Sequence, residues 1–332
     1  SRLAQAGPSA QLRKEADVES ASSSPGRKME QVNNEFGQPK IVLKHSSGSY
    51  CEVHLFGATV TKFVTATGRD VIWCSNKAKL DGTKAIRGGI PVVFPQFGTP
   101  IKEMPQHGFA RNNAWRLEGE AKSVGDPEDI GCLLSIDNTI ATHEAWPQPY
   151  RLEYSVILGA ESLTTTLTVI NAGKEPFQFM NLLHTYINVG DIRATTVEGL
   201  QGAKYMDKTS DDPEKLMFDA REVAEVTKFV DRVYVVANNK PLGDPVVVNS
   251  PIGVIEVRKK AAATTAEGTS ELPVDVVLWN PWEEKGAAMP DFQEGGHMHM
   301  LCVEPGLVSQ FHTLAPEARV DLTQVLTAVP AS

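Results

Sequence analysis

Apolar and polar residues alternate along most of the chain, and this alternation predicts strands rather than helices. The period of two is clear at Tyr50–Leu55, Leu152–Val156 and Leu163–Val169, because successive side chains of a strand point to opposite faces of a sheet. Helical periodicity is nearly absent, although Asp212–Met217 could form a single helical turn. Further short, β-branched segments bounded by turn-forming residues are Val223–Val236, Val246–Val248, Val254–Val257, Val274–Trp279, Met298–Val303 and Val320–Val329.

Many short strands without helices are typical of an antiparallel sandwich or barrel. We therefore predict an all-β fold, a large antiparallel β-sandwich that forms a single domain over residues 31–332. Residues 1–30 form a separate tail. Ser1–Lys28 has no aromatic residue and is rich in Ser, Ala, Gln and charged residues, so it cannot bury enough apolar surface to fold and is predicted to be disordered.

Composition and charge exclude several classes of partner. The chain of 332 residues is 41% hydrophobic and has a formal net charge of -9, which argues against nucleic-acid binding and against an anionic membrane surface. No apolar run approaches the roughly 20 residues of a membrane span. We expect a monomer in the cytoplasm. A plastid is the alternative if the tail is the remnant of a transit peptide, although its three acidic residues argue against one.

The four cysteines, Cys51, Cys74, Cys132 and Cys302, lie far apart and form no C-x-x-C pair. A zinc site or a redox motif built from them is therefore not expected. We interpret them as free thiols in a reducing compartment, with a disulfide as the alternative.

The segment Ala85–Arg111 contains two arginines, Gln106 and His107 among Gly, Pro and apolar residues. The prolines and glycines exclude a long helix and predict a sharply bent loop that can approach a ligand closely. Arg87 and Arg111 each carry a fork of donors that matches the oxygens of a carboxylate or phosphate. Ordinary surface ion pairs are the alternative for one arginine alone, whereas the whole group favours a binding site.

Two ionisable residues are predicted at buried strand positions. Phe179–Val189 is apolar on both faces, which predicts a central strand with His184 on the face of Leu182 and Tyr186. Glu304 follows the apolar run that begins at Met300 and would stand at the end of another strand. A core histidine and a buried ion pair are the structural alternatives. Together, an imidazole and a carboxylate are what general acid–base chemistry requires.

Three other groups are weaker candidates. His297 and His299 would share one strand face, which suits a metal, but no third ligand is evident and a solvated or pocket-lining segment is favoured. Trp279, in the motif Trp-Asn-Pro-Trp, could stack against a sugar ring or pack in the core. Asp231 offers a carboxylate within a strand pattern, with an exposed charge pair as the alternative.

Five motifs occur in one order: Ile86–Pro91, Pro105–Arg111, His184–Tyr186, Trp279–Trp282 and Cys302–Gly306. Together they closely resemble the glucose-6-phosphate 1-epimerase (hexose-6-phosphate mutarotase) branch of the aldose 1-epimerase family, and the resemblance runs from about Pro39 to Val329. It implies a galactose mutarotase-like β-sandwich with a sugar cleft on one sheet. The segment Arg258–Leu272 looks longer than is usual in the family and is interpreted as a hairpin loop extension.

The resemblance also implies site residues. It places the catalytic pair at His184 and Glu304, and it assigns substrate binding to Arg87, Gln106, Arg111 and either Asp231 or, as the alternative, Asp207. His107 and Trp279 are expected in the pocket. The implied reaction interconverts the α and β anomers of hexose 6-phosphates by acid–base ring opening, without metal or organic cofactor.

Other classes of function remain open at this point. An epimerase of unphosphorylated sugars would give the two arginines no anion to bind. A non-catalytic carbohydrate-binding module would not need His184 and Glu304, and both are present. A metal-dependent sandwich enzyme is the least favoured alternative.

Overall fold

Strands dominate the computed structural model, which describes residues 26–123, 125–236, 242 and 244–329. All strand pairs in this part of the chain are antiparallel. The strands are β1 (Lys28–Asn33), β2 (Pro39–Lys44), β3 (Tyr50–His54), β4 (Thr59–Val64), β5 (Val92–Val93), β6 (Arg116–Ala121), β7 (Ile130–Asp137), β8 (Tyr150–Leu158), β9 (Ser162–Asn171), β10 (Phe177–Leu183), β11 (Tyr186–Asn188), β12 (Thr196–Glu198), β13 (Lys204–Asp207), β14 (Leu216–Phe218), β15 (Ala224–Glu225), β16 (Val230–Val235), β17 (Val246–Ser250), β18 (Gly253–Thr265), β19 (Gly268–Leu272), β20 (Asp275–Asn280), β21 (Met300–Leu314) and β22 (Arg319–Val329).

Helices are few and short. Two α-helices, α1 (Ile140–Ala145) and α2 (Trp282–Ala287), and three 3₁₀ turns at Ala110–Asn112, Ile192–Ala194 and Gly296–Met298 occur in the described residues. None of these helices is long and apolar enough to cross a membrane. The predicted all-β fold class is therefore confirmed.

Two large sheets form the sandwich. One has eight strands in the order β14-β13-β16-β20-β21-β10-β5, with β11 also paired to β21. The other has ten, in the order β15-β12-β17-β18-β22-β9-β8-β7-β6, with β19 paired to β18. A separate four-stranded sheet, β1-β2-β3-β4, packs against β7 through β1 and β2.

The main core lies between the two large sheets. Buried and partly exposed positions alternate along β8 and β9, so each strand turns one apolar row inward. Phe94 follows β5 and reaches across the core to Tyr150 of β8, with ring centroids 5.5 Å apart. Fully burying a large apolar side chain contributes roughly 1.5–3 kcal/mol, and dozens of such side chains fill this layer.

The central strands differ from their prediction. Phe179–Val189 is not one strand: β10 ends at Leu183, β11 begins at Tyr186, and His184 lies at the break. The amide of His184 donates to the carbonyl of Pro91 (3.0 Å) rather than to the neighbouring strand. Likewise, Glu304 does not end a strand but lies inside the fifteen-residue β21.

The wrong prediction that a strand ends at Glu304 has a clear cause. Pro305 and Gly306 follow Glu304 and are the usual signal for a turn, yet the strand continues through both. A Cβ atom on Gly306 would lie 2.8 Å from the carbonyl oxygen of Asn181. The glycine thus permits close approach of two strand backbones rather than a turn.

Three smaller boundaries also need correction. Asp212–Met217 forms no helix but a turn that leads into β14, and Val223–Val236 divides into β15 and β16. The hairpin expected at 258–272 is present, formed by paired residues of β18 and β19. β1 begins at Lys28, so the last three residues of the predicted tail belong to a sheet, while residues 1–25 lie outside the described residues.

The prediction of free thiols is confirmed. All four cysteines are free, and three of them, Cys51, Cys132 and Cys302, are fully buried.

Candidate active site

A cavity of about 740 Å³ opens on the outer face of the eight-stranded sheet. Every residue that the sequence singled out as a first choice for the site contributes to its wall, whereas the alternative Asp207 does not. These wall residues are Arg87, Gln106, His107, Arg111, His184, Asp231, Trp279 and Glu304. Five separate parts of the chain therefore meet in one concave surface of the size that binds a small molecule.

His184 and Glu304 face each other at the floor of the cavity. The register of β10 and β11 against β21, with Leu182 opposite Gly306 and Tyr186 opposite Cys302, brings His184 level with Glu304. His184 Nδ1 lies 3.3 Å from Glu304 Oε2, and the two residues are only 7% and 1% exposed. The two atoms approach closely, but neither has a hydrogen-bond partner among the described residues, so both are available to a ligand.

Aromatic rings fix the orientation of His184. The ring of Tyr186 stacks on the imidazole with centroids 4.7 Å apart and an interplanar angle of 10°. His107 and Trp279 contact it edge-on, at 5.8 and 5.9 Å. Behind the break in the strand, Thr185 Oγ1 donates to Gln324 Oε1 of the opposite sheet at 2.8 Å. These contacts hold His184 before any ligand arrives.

Electrostatics favour the uncharged forms of both groups, a protonated Glu304 and a neutral His184. Burial, and then the nearby Asp231, raise the pKa of Glu304 well above its usual range, against an opposing effect of Arg111. Burial, and then His107 and the two arginines, hold the pKa of His184 well below its usual range. Large shifts of this kind in a cleft are typical of acid–base sites.

Arg87 is neutralised within the protein. Its Nε donates to Asp291 Oδ1 at 3.2 Å, and its Nη1 donates to the hydroxyl of Tyr186 at 3.4 Å. Lys84 contacts the other oxygen of Asp291, which is buried, at 2.7 Å. Arg87 is thus clamped between an acid and the tyrosine that supports His184.

Arg111 lies in the same wall without such a partner. Its Nη2 donates to the backbone carbonyl of Gln106 (2.9 Å), and its Nε is buried without a hydrogen bond. None of the ion pairs found in the described residues involves Arg111. Burial and the charge of Arg87 lower the pKa of Arg111 to about 10, against smaller opposing effects of neighbouring groups. Among the described residues, the guanidinium therefore has no ion-pair partner.

The bent loop that carries these groups depends on close backbone approach. Gly108 has φ +72°, and a Cβ atom there would lie 2.0 Å from the carbonyl oxygen of Phe94. Next to it, His107 takes the same left-handed region with φ 64°, which is uncommon for a residue other than glycine. His107 Nδ1 accepts the amide hydrogen of Gly98 (3.1 Å). Its proton therefore resides on Nε2, and burial, then Arg111 and Arg87, lower its pKa to about 3.

The opposite side of the cavity holds Asp231. It lies on β16, whose alternation turns Asp231 toward the cavity and Arg232 away from it. Burial raises the pKa of Asp231, and Lys285 and Lys208 oppose that effect. Asp207 instead accepts hydrogen bonds from Thr209, so the geometry favours Asp231 of the two aspartates that the sequence left open.

The aldose 1-epimerase family model matches residues 39–327. This chain belongs to the aldose 1-epimerase family. A protein from Cenchrus ciliaris named "Putative glucose-6-phosphate 1-epimerase" is 33% identical over 315 residues, which cover 91% of this chain and 88% of that protein. A protein of the same name from Escherichia coli is 28% identical over 271 residues, 81% of this chain and 84% of its own.

Several solved structures share the fold. The crystal structure of a "putative mutarotase" from Salmonella typhimurium superposes with a TM-score of 0.76 at 24% identity, covering 93% of this chain and 96% of that one. A galactose mutarotase-like protein from Clostridium acetobutylicum gives 0.67 at 15% identity, covering 93% and 100%. The predicted galactose mutarotase-like sandwich is therefore confirmed.

Within this aldose 1-epimerase fold, the Trp-Asn-Pro-Trp motif has two tasks. Trp279 lines the cavity. Asn280 is fully buried, and its amide donates to the carbonyls of His297 and Met300 at 2.9 and 2.8 Å. Trp282 packs against His297. The motif therefore both supplies a cavity wall and fastens the chain that enters β21.

His297 and His299 do not lie on the one strand face that the alternation had suggested. His297 belongs to a 3₁₀ turn, and His299 contacts the carbonyl of Gly190 through Nδ1. The one group of three potential ligands in the described part of the chain is His184, Cys302 and Glu304, whose ligand atoms lie within 4.8 Å of one another.

Sequence reasoning missed two basic residues of the site. Lys208 follows β13 and Lys285 lies on α2, and both line the cavity on the side of Asp231. Neither lies in a motif of the resemblance. Lys208 adjoins no predicted strand, and Lys285 lies three residues beyond the Trp-Asn-Pro-Trp motif, so no signal in the sequence separates them from surface lysines.

Proposed function

We propose that this protein interconverts the α and β anomers of D-hexose 6-phosphates, chiefly glucose 6-phosphate. Three observations support the proposal: membership of the aldose 1-epimerase family, relatives that carry the glucose-6-phosphate 1-epimerase name, and a cavity with an imidazole–carboxyl pair at its floor.

The charge of Arg111 carries the choice of a phosphorylated substrate. A half-buried guanidinium that lacks an acidic partner is costly. A neutral sugar leaves that cost in place, whereas a phosphate accepts charge-assisted hydrogen bonds from it. Arg87 is already paired with Asp291, so we assign the phosphate primarily to Arg111, with Arg87 as a second, fixed donor.

The pair at the floor accounts for the chemistry. Transfer of the carboxyl proton from Glu304 to His184 leaves a carboxylate and an imidazolium, with Oε2 and Nδ1 3.3 Å apart. Glu304 then takes the proton of the anomeric hydroxyl, and the electrons of that O–H bond form the C1 carbonyl. The bond from C1 to the ring oxygen breaks, and His184 protonates that oxygen. Rotation of the aldehyde and the reverse steps give the other anomer.

The remaining wall residues suit the binding of sugar hydroxyls. Asp231 accepts hydrogen bonds from hydroxyl groups, and Trp279 offers an apolar face beside the pair. Gln106 and the Nε2–H of His107 add neutral donors. His107 is uncharged at neutral pH because its pKa is about 3, so it can orient a hydroxyl without competing for the phosphate.

Anomer exchange measured by NMR tests the proposal directly. Rates for glucose 6-phosphate and for glucose are compared at equal enzyme concentration, with the spontaneous reaction subtracted. We expect kcat/KM to be far higher for glucose 6-phosphate. Equal efficiency on both sugars would instead favour an epimerase of unphosphorylated aldoses, and sugar binding without any exchange would favour a non-catalytic carbohydrate-binding module.

We also propose that the protein acts as a monomer in the cytoplasm. One chain supplies a complete cavity wall, and four free thiols suit a reducing compartment. Sedimentation velocity at micromolar concentration tests the first point, and a dimer would contradict it.

A further inference from the structure

Three side chains that can bind a metal ion converge at the floor of the cavity. Cys302 and Glu304 are two residues apart on β21, so their side chains leave the strand on the same face. His184 lies beside them, at the break between β10 and β11. One ligand atom of each residue lies within 4.8 Å of the other two, and all three residues are buried.

Two of these ligand atoms have no hydrogen bond to occupy them. Nδ1 of His184 and Oε2 of Glu304 are buried, and neither has a hydrogen-bond partner among the described residues. A buried polar atom without a partner costs free energy, and native proteins rarely leave one without a reason. A bound ion would satisfy both atoms at once. The thiol of Cys302 forms no disulfide, so it is free to supply a third bond.

The spacing of the pair matches what a zinc ion requires. Zinc binds nitrogen and oxygen ligands at about 2.1 Å and sulfur at about 2.3 Å in a tetrahedral arrangement, so two nitrogen or oxygen ligands are roughly 3.4 Å apart. His184 Nδ1 and Glu304 Oε2 are 3.3 Å apart. To complete the set, the sulfur atom of Cys302 needs to approach by no more than roughly 1.2 Å.

The charges of the three ligands also suit a divalent ion. A neutral imidazole, a thiolate and a carboxylate together carry two negative charges, so the filled site has no net charge, as a buried site requires. A soft thiolate favours zinc over magnesium or calcium. Without Cys302, the filled site would keep one positive charge in the same cavity as Arg111, which has no ion-pair partner among the described residues. The thiolate is therefore the decisive ligand.

We propose that His184, Cys302 and Glu304 form an inhibitory site for a zinc ion. The ion enters through the cavity, because His184 and Glu304 line its wall, and its fourth position faces that space. Binding displaces the protons of the thiol and the carboxyl group to solvent. The ion then holds the two groups that ring opening uses, so the enzyme is inactive until the ion leaves. The inhibition rests on the proposed function, whereas binding of the ion does not.

The experiment compares the protein with and without the thiol of Cys302. Full-length protein is freed of metal with a chelator, and anomer exchange of glucose 6-phosphate is followed by NMR while a metal buffer sets the concentration of free zinc. The unmodified protein is compared with Cys302→Ser and with Cys132→Ser. Cys132 is also fully buried, but it lies on β7 of the other large sheet and serves as the matched control. Cys302→Ala replaces Cys302→Ser if circular dichroism shows that the serine variant does not fold.

We expect saturating zinc to abolish catalysed exchange in the unmodified protein and in Cys132→Ser, and an added chelator to restore it. In Cys302→Ser, exchange without zinc should continue, because the proposed reaction does not use the thiol. The free zinc concentration that halves the rate should be at least about 100-fold higher in this variant, since even the outer-shell partners of a metal ligand contribute roughly 10–100-fold to affinity.

Cobalt(II) gives a readout that does not depend on activity. A thiolate bound to cobalt produces a charge-transfer absorption band in the near ultraviolet. The unmodified protein and Cys132→Ser should show this band, and zinc should remove it by displacing the cobalt. Cys302→Ser should not show it.

Three results would overturn the zinc site. They are an unmodified protein without the cobalt band, an unmodified protein that stays fully active at saturating zinc, and equal sensitivity of Cys302→Ser and the unmodified protein to zinc. A metal-free protein that does not catalyse exchange of glucose 6-phosphate would instead overturn the proposed function. The cobalt band would then still decide whether the three residues bind a metal ion.

Discussion

Replacing Arg111 with methionine should stabilise the protein while it damages recognition of the phosphorylated substrate. Methionine has a similar length but no charge, so the change removes a cation that lacks an acidic partner. The pKa of Arg111 is lowered to about 10, against an ordinary value of about 12.5, and each pKa unit corresponds to about 1.4 kcal/mol. The charged side chain therefore costs the empty protein about 3 kcal/mol.

Part of that gain is lost with the hydrogen bond from Arg111 to the carbonyl of Gln106, since hydrogen bonds to charged groups contribute about 1.5–3 kcal/mol. We expect a net increase in the free energy of unfolding of up to about 1.5 kcal/mol, measured by urea denaturation. For substrate, loss of one partner of a desolvated charge pair costs roughly 2–5 kcal/mol. This corresponds to a fall in kcat/KM for glucose 6-phosphate of about 30-fold to several thousand-fold.

Arg87→Met provides the matched contrast, because it leaves the buried Asp291 with Lys84 as its remaining ion-pair partner. That variant should lower the free energy of unfolding, whereas Arg111→Met should not. The reasoning fails if Arg111→Met is clearly less stable than the unmodified protein, or if it reduces kcat/KM for glucose and for glucose 6-phosphate by the same factor.

Three further predictions concern catalysis, pH and the chain terminus. Glu304→Gln should reduce anomer exchange by roughly 10²–10⁴-fold at unchanged folding by circular dichroism, and near-full activity would exclude Glu304 as the acid–base group. Burial, and then Lys40, lower the pKa of His54 to about 4. Because the unfolded chain binds that proton more tightly, the contribution of His54 to the free energy of unfolding should fall by about 2 kcal/mol between pH 7 and pH 5. A His54→Gln variant should lose this part of the pH dependence in denaturant titrations, and an unchanged slope would contradict the assignment. Deleting residues 1–25 should leave the melting temperature and turnover unchanged, whereas deleting residues 1–33 removes β1 and should lower the melting temperature. A large loss with the shorter deletion would show that the tail contributes to folding.

The sequence predicted the fold class because one face of most strands is covered and the other is partly exposed. Strands β8 and β9 show this alternation over their whole length. Alternation gives no information about a strand whose two faces are both buried. Along β21 the first nine residues are all buried, so no period remains, and Pro305 and Gly306 then suggested a turn that does not exist.

Most of the charged and aromatic residues that line the cavity were predictable from motifs. Their ion-pair partners were not. Residues such as His184 and Glu304 stand out because charged groups are rare in apolar runs. Which arginine has a counterion depends on Asp291, about two hundred residues away from Arg87 in the chain. Lys208 and Lys285 were missed because only the folded chain brings them beside Asp231.

The division of the sandwich into a sheet that bears the cavity and a sheet that supports it has an evolutionary consequence. No residue of the ten-stranded sheet is among those that line the cavity in the described chain. Selection on substrate recognition therefore acts mainly on one layer, and the other can diverge as long as its inward row stays apolar and Gln324 of β22 keeps its hydrogen bond with Thr185. The hairpin of β18 and β19, whose turn lies at residues 266–267, belongs to that permissive layer. An insertion at this turn would lengthen the hairpin without changing any residue that lines the cavity.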